Sequence, residues 1–180
     1  ARSIATLTNA GTVQIDAAGL SLQGSTTNTG GVINIAAGSV LSQLAGAING
    51  GSINTVGTGA LVVSGSGANA FNGVTLGGRM DMSSVANSRQ LLTGGLNLAS
   101  GSIDIANGGI LNLWVGDQAI SGSGSLNLND AGARLALEGT STTTLGANVV
   151  VRGQGNIGQA AIAGGTHHLT NNGRISADVN

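Results

Sequence analysis

The feature that most limits what this chain can become is a phrase it writes many times. "GGVINIAAGS" (30–39) sets two glycines before a short apolar–polar–apolar stretch, Val32-Ile33-Asn34-Ile35, and follows it with small residues. The phrase returns as "GGSINTVGTG", "GGLNLASGS", "SGSIDIANGG", "GGILNLWVG" and "GSGSLNLND". Period-two alternation belongs to a strand, because successive strand side chains point to opposite faces. Glycine clusters every six to ten residues break any long helix and furnish corners between strands.

The phrases fall into register at Val13/Ile15, Ile33/Ile35, Ile53, Val74/Leu76, Leu96/Leu98, Leu126/Leu128, Val149/Val151 and Leu169, 20 to 23 residues apart except for one longer step, Leu96 to Leu126. A second set follows at Leu20/Leu22, Val40, Leu61/Val63, Met80/Met82, Ile103/Ile105, Leu135/Leu137, Ile157 and Ile175. A third, weaker set precedes the glycines at Ile48, Phe71, Leu92, Ile120, Leu145 and Ile162, and Ile110–Val115 reads as an inserted phrase. Three strands and three corners in about 22 residues make one coil of a parallel β-helix, which buries its apolar side only when coils stack. The predicted fold is all-β, a solenoid of about eight coils with three short strands each. At one strand spacing per coil it forms a rod ~38 Å long. Residues 1–180 read as a single β-helix segment, part of a longer shaft or an axially stacking subunit.

Composition agrees. The hydrophobic fraction of 41% with only 7% charged residues excludes a disordered chain. Glycine without a three-residue period, and no proline, excludes collagen. One Trp and one Phe suit a narrow column in which Ile, Leu, Val and Ala stack on their own kind. There is no lysine, and the six arginines are scattered, so no surface is built to displace counterions from nucleic acid. No apolar run approaches the ~20 residues of a membrane helix, and no signal peptide is expected, because "ARSIATLTNAG" is repeat-like from its start. The outward positions of the first phrase repeat as Gln14, Asn34, Asn54, Asn97 and Asn127, with Asn112 in the inserted phrase. Stacked amides that bond along the axis would explain that choice, and so would the backbone tolerance of asparagine.

"LTNAGTVQIDAAG" (7–19) and "LTNNGRISADV" (169–179) resemble the filamentous-haemagglutinin-type repeats of bacterial two-partner-secreted exoproteins, and autotransporter adhesin passengers use similar phrases. The resemblance is one of repeat style, and with no proline the chain lacks the Asn-Pro-rich signature of the secretion domain. It implies a right-handed parallel β-helix, export across a Gram-negative envelope and an extracellular or cell-surface adhesin shaft. The rival reading is a carbohydrate-binding or carbohydrate-cleaving β-helix.

Candidate chemistry is sparse. Asp81 and Asp104 sit mid-phrase in "RMDM" and "SIDI", facing out, with Arg79 two residues before Asp81. Stacked on adjacent coils they would place two carboxylates beside a cation, the pattern of a general acid and base. The alternative is a solvated column that Arg79 neutralises. The alternation of Leu111, Leu113 and Val115 turns Trp114 outward beside Asn112, either to stack on a sugar ring or to lie over the neighbouring coil. His167 and His168 point to opposite faces of a strand and cannot chelate one ion together. His168 is expected to face out, and no metal or cofactor is called for. The threonine tracts at 25–28 and 140–144 lie too far apart for a flat ice-binding array.

The expected partners are neighbouring copies or flanking repeats stacked end to end, and host or matrix glycans; neither nucleic acid nor membrane insertion is expected. Val13/Ile15 and Ile175/Ala177 would present bare parallel edges for stacking, a contact that does not close on itself.

Overall fold

The computed structural model describes residues 2–158 and 162–178. Among them are 23 strands and no helix, and every strand pairing is parallel. The strands stack in three ladders that wind together as a β-solenoid.

The first ladder runs Thr12–Ile15, Val32–Ile35, Ser52–Thr55, Val74–Gly77, the first halves of Leu96–Ile105 and Gln118–Leu128, Thr142–Leu145 and His168–Asn171. The second runs Arg2–Ile4, Leu20–Leu22, Val40–Gln43, Ala60–Val63, Arg79–Met82, the second halves of the same two long strands, Asn148–Gly153 and Arg174–Ala177. The third runs Leu7–Thr8, Thr26–Thr27, Ala47–Asn49, Ala70–Asn72, Arg89–Leu92, Ile110–Leu113, Arg134–Leu137 and Asn156–Gly158. Because the two long strands cross from one ladder to the next without a break, the first and second ladders form one 15-stranded sheet, and the third is a separate sheet of eight. The first ladder has eight rungs, which bound about seven full turns, in keeping with the roughly eight coils read from the repeat.

The inward residues form one continuous apolar column. Ile35, Leu98 and Ile105 are fully buried and Leu128 nearly so, as the alternation predicts. The column is uncovered at the outermost rungs. Ile4, Leu7, Val13 and Leu20 are half-buried at one end, and Ile175 is exposed at the other. The contour of a coil also lengthens along the rod. Rung partners in the first ladder are 20 residues apart at Thr12/Val32 and 26 apart at Thr142/His168.

The ladder assignment differs from the sequence reading past residue 105. Ile110–Leu113 is not an insertion; it is the regular third-ladder strand between Arg89–Leu92 and Arg134–Leu137. Leu126/Leu128 and Val149/Val151 therefore belong to the second ladder, Leu135/Leu137 and Ile157 to the third, and Ile120 and Leu145 to the first. The cause lies in two first-ladder segments whose inward pairs are half polar. Gln118 sits inside with Ile120, and Thr143 with Leu145, so neither segment shows the apolar–polar–apolar phrase. Val115, expected inward, is exposed because the strand and its alternation end at Leu113.

Corners are set by asparagine as much as by glycine. Asn28, fully buried, accepts from Asn9 Nδ2 (2.7 Å) and donates to the carbonyls of Gly31 (3.3 Å) and Ser52 (3.4 Å). That clamp requires close approach of the next coil: Gly51 has φ 70°, and a Cβ there would lie 2.0 Å from the Asn28 carbonyl oxygen. No side chain but hydrogen fits.

Candidate functional site

The second ladder carries a charged column on its outer face. Alternation turns Arg79 and Asp81 outward from one strand, and parallel pairing sets Asp81 beside Asp104 on the next rung. Arg79 Nε donates to Asp104 Oδ2 at 2.8 Å, and its Nη2 lies 3.4 Å from Asp81 Oδ2. Asp81 Oδ1 accepts from the Ser83 hydroxyl (2.7 Å) and from the Ser83 and Ser84 N–H groups (2.8 and 3.0 Å). Asp104 Oδ1 accepts from Asn127 Nδ2 at 2.7 Å, and Asn127 Oδ1 accepts from Arg152 Nε at 2.9 Å. Bonds thus run from rung to rung across Asp81, Arg79, Asp104, Asn127 and Arg152, as the stacking predicts for the first three.

Electrostatics follow from those bonds. Burial pushes the Asp81 carboxyl up, but the donors of Ser83 and Ser84 together outweigh it and hold the group below the usual carboxylate range. The Arg79 guanidinium is pushed above its ordinary value, chiefly by the hydrogen bond to Asp104, with burial opposing and the charge of Asp81 assisting. An ionised Asp81 has no proton to give at neutral pH, and its Oδ1 is already engaged by three donors. The arrangement is a charge-compensated seam between coils.

Trp114 lies elsewhere, immediately after the third-ladder strand Ile110–Leu113. It faces out and is 44% exposed. Asn112 also points outward yet is only 4% exposed. Both line a crevice of about 30 Å³ together with Asn69, Arg89, Gln90 and Leu91. The three charged candidates therefore share a face, and Trp114 sits on the other sheet.

The remaining candidates do not converge. His168 is exposed and its backbone N–H donates to the Ser141 carbonyl at 2.9 Å; His167 is half-buried. Among the described residues no group of three His, Cys, Asp or Glu is placed to hold a metal ion. Thr26 and Thr143 point inward on different ladders, so the threonine tracts make no flat array. Of the expected outward amides, Asn34 and Asn54 bond to each other (3.1 Å) and Asn97 bonds to Thr75 (3.4 Å). Asn127 belongs to the charged column, and Asn112 is buried.

Sequence reasoning missed Glu138. It is fully buried, and its carboxylate collects the N–H groups of Ile162 (3.1 Å), Ala163 and Gly164 (3.1 Å) on the following coil. Alternation marks Glu138 as outward after Leu135 and Leu137, and its partners are 24 to 26 residues away. The available signal is that it is the sole glutamate, followed one coil later by the "GG" of a turn.

Comparison of the chain with protein-family models, with curated proteins and with solved structures gives no match.

Proposed function

We propose that this β-solenoid is a structural element, the shaft of an extracellular bacterial adhesin or fibre that performs no catalysis. The observation that supports this reading is the charged column. The acids that would serve a glycosidase-like reaction are spent on bonding coil to coil, and Asp81 is held ionised by its own turn. Side chains that strengthen rung-to-rung pairing serve a load-bearing rod. Its partners are flanking repeats or further copies joined end on through the open parallel edges.

A glycan-depolymerisation screen tests the catalytic part. Wild type and the Asp81→Asn/Asp104→Asn double variant should both show no turnover. Wild-type turnover that disappears in the double variant overturns the proposal. Surface location is tested by protease treatment of intact cells that express the full-length protein. The shaft should be cleaved, and complete protection would count against export.

A further inference from the structure

The charged column of the second ladder ends in a cation that no acid neutralises, and a second such cation lies beside it. Arg152 and Arg174 are exposed on successive rungs, and among the described residues neither lies within ion-pair distance of a carboxylate. The register sets Arg174 beside Val150 and Arg152 beside Ser176. The two arginines are therefore diagonal neighbours, about 8 Å apart at Cα from the strand spacing and rise. Like charges at that spacing repel each other and gain from an anion shared between them.

One of the two is held in place. Arg152 Nε donates to Asn127 Oδ1 (2.9 Å), and the Asn127 amide is itself oriented by its Nδ2 bond to Asp104 (2.7 Å). The Arg152 side chain makes no other bond among the described residues, so both Nη groups remain for a guest and are ordered before it arrives. The surface between the arginines has room for one. They border a trough of about 390 Å³ on the outer face of the sheet, with Ser125, Val150 and Ser176 at outward positions across three rungs. Asp178 reaches the same trough without pairing with either arginine, which leaves a net positive charge.

The class of guest follows from what the trough lacks. Between these rungs the backbone groups are spent on the axial ladder, so a peptide finds no strand edge to extend. Two cations are too few to grip a nucleic-acid backbone, which draws on many. The hydroxyls of Ser125 and Ser176 both donate and accept, as a polyhydroxylated guest requires. We propose that Arg152, Arg174, Ser125 and Ser176 form a lateral subsite for an acidic polysaccharide. The guanidinium groups hold a carboxylate or sulfate of the chain, and the serines meet its hydroxyls. This site goes beyond the shaft reading, since a rod bears load with or without it.

Calorimetric titration at low salt tests the assignment, with each ligand carried to about 10 mM, the range of single-subsite affinities. Oligogalacturonate supplies carboxylate, a sulfated dextran oligosaccharide supplies sulfate, and maltohexaose supplies neither. At least one acidic glycan should bind saturably and lose affinity as salt is added, and the one that binds more tightly identifies the anion. Arg174→Gln should weaken that binding about ten-fold, the loss of one charge-assisted hydrogen bond, with an unchanged melting curve. Arg134→Gln removes an exposed cation from the third ladder and should leave binding as it was. Four outcomes overturn the assignment: no saturable binding of either acidic glycan, equal affinity in Arg174→Gln, an equal loss in Arg134→Gln, or binding of maltohexaose or oligoglutamate as tight as that of the acidic glycans.

Discussion

Replacing Glu138 with alanine should loosen one end of the rod and leave the rest intact. The carboxylate accepts three backbone N–H groups from Ile162, Ala163 and Gly164 while fully buried itself. A hydrogen bond to an ionised group contributes about 1.5–3 kcal/mol. Ile162 and Ala163 are exposed, so water replaces part of what they lose. With that discount, about 1 kcal/mol per bond gives about 3 kcal/mol in total, or about a hundred-fold rise in local opening. Glutamine should do little better, because it keeps one acceptor oxygen and turns an NH₂ toward the same donors. Solenoid coils couple mainly to their neighbours, so the effect should stay near the substitution. Hydrogen exchange read by mass spectrometry provides the assay. Amides of 162–164 and of His168–Asn171 should exchange faster in the variant, and those of Val32–Ile35 should not change. Unaltered protection at 162–171 would refute the clamp, and acceleration along the whole chain would refute local coupling.

Other outcomes follow from the same geometry. Ile35→Asp, Leu98→Asp, Ile105→Asp or Leu128→Asp should each cost several kcal/mol, since each buries an unpaired charge in the column, whereas Asn34→Asp and Asn97→Ser should be nearly silent in thermal melts. Asp81 is held below its ordinary pKa, so the stability it contributes is present at neutral pH and is lost as pH falls below about 4; urea melts of Asp81→Asn should show a shallower acid limb than wild type. Gln14→Pro removes a donor from the outer edge of Thr12–Ile15, so light scattering should show shorter axial assemblies than wild type at high concentration, and equal assembly in both would place the contact elsewhere.

Architecture was legible because it depends on period, and period survives in single residues. Val32-Ile33-Asn34-Ile35 declares its strand and its inward face without help from the rest of the chain. Legibility failed where an inward position is polar. Gln118 and Thr143 occupy column sites that hydropathy assigns to the surface, and each displaced the reading by one ladder. The charged column was half legible: Asp81, Arg79 and Asp104 stack as their spacing suggests, but Asn127 and Arg152 join only once the ladders are assigned correctly. Glu138 was invisible because its burial comes from backbone donors a coil away, and backbone donors carry no side-chain signature.

The lengthening of the coil from 20 to 26 residues makes the rod a directional object, slimmer in contour at one end than at the other. Identical copies laid head to tail would set a short coil against a long one at every joint. The silhouette of such a filament would be a sawtooth, with one step per copy at a repeat of about 40 Å. Flanking repeats that continue the progression would instead widen smoothly, so the outline of the fibre in an electron micrograph distinguishes an assembly of copies from a single long chain.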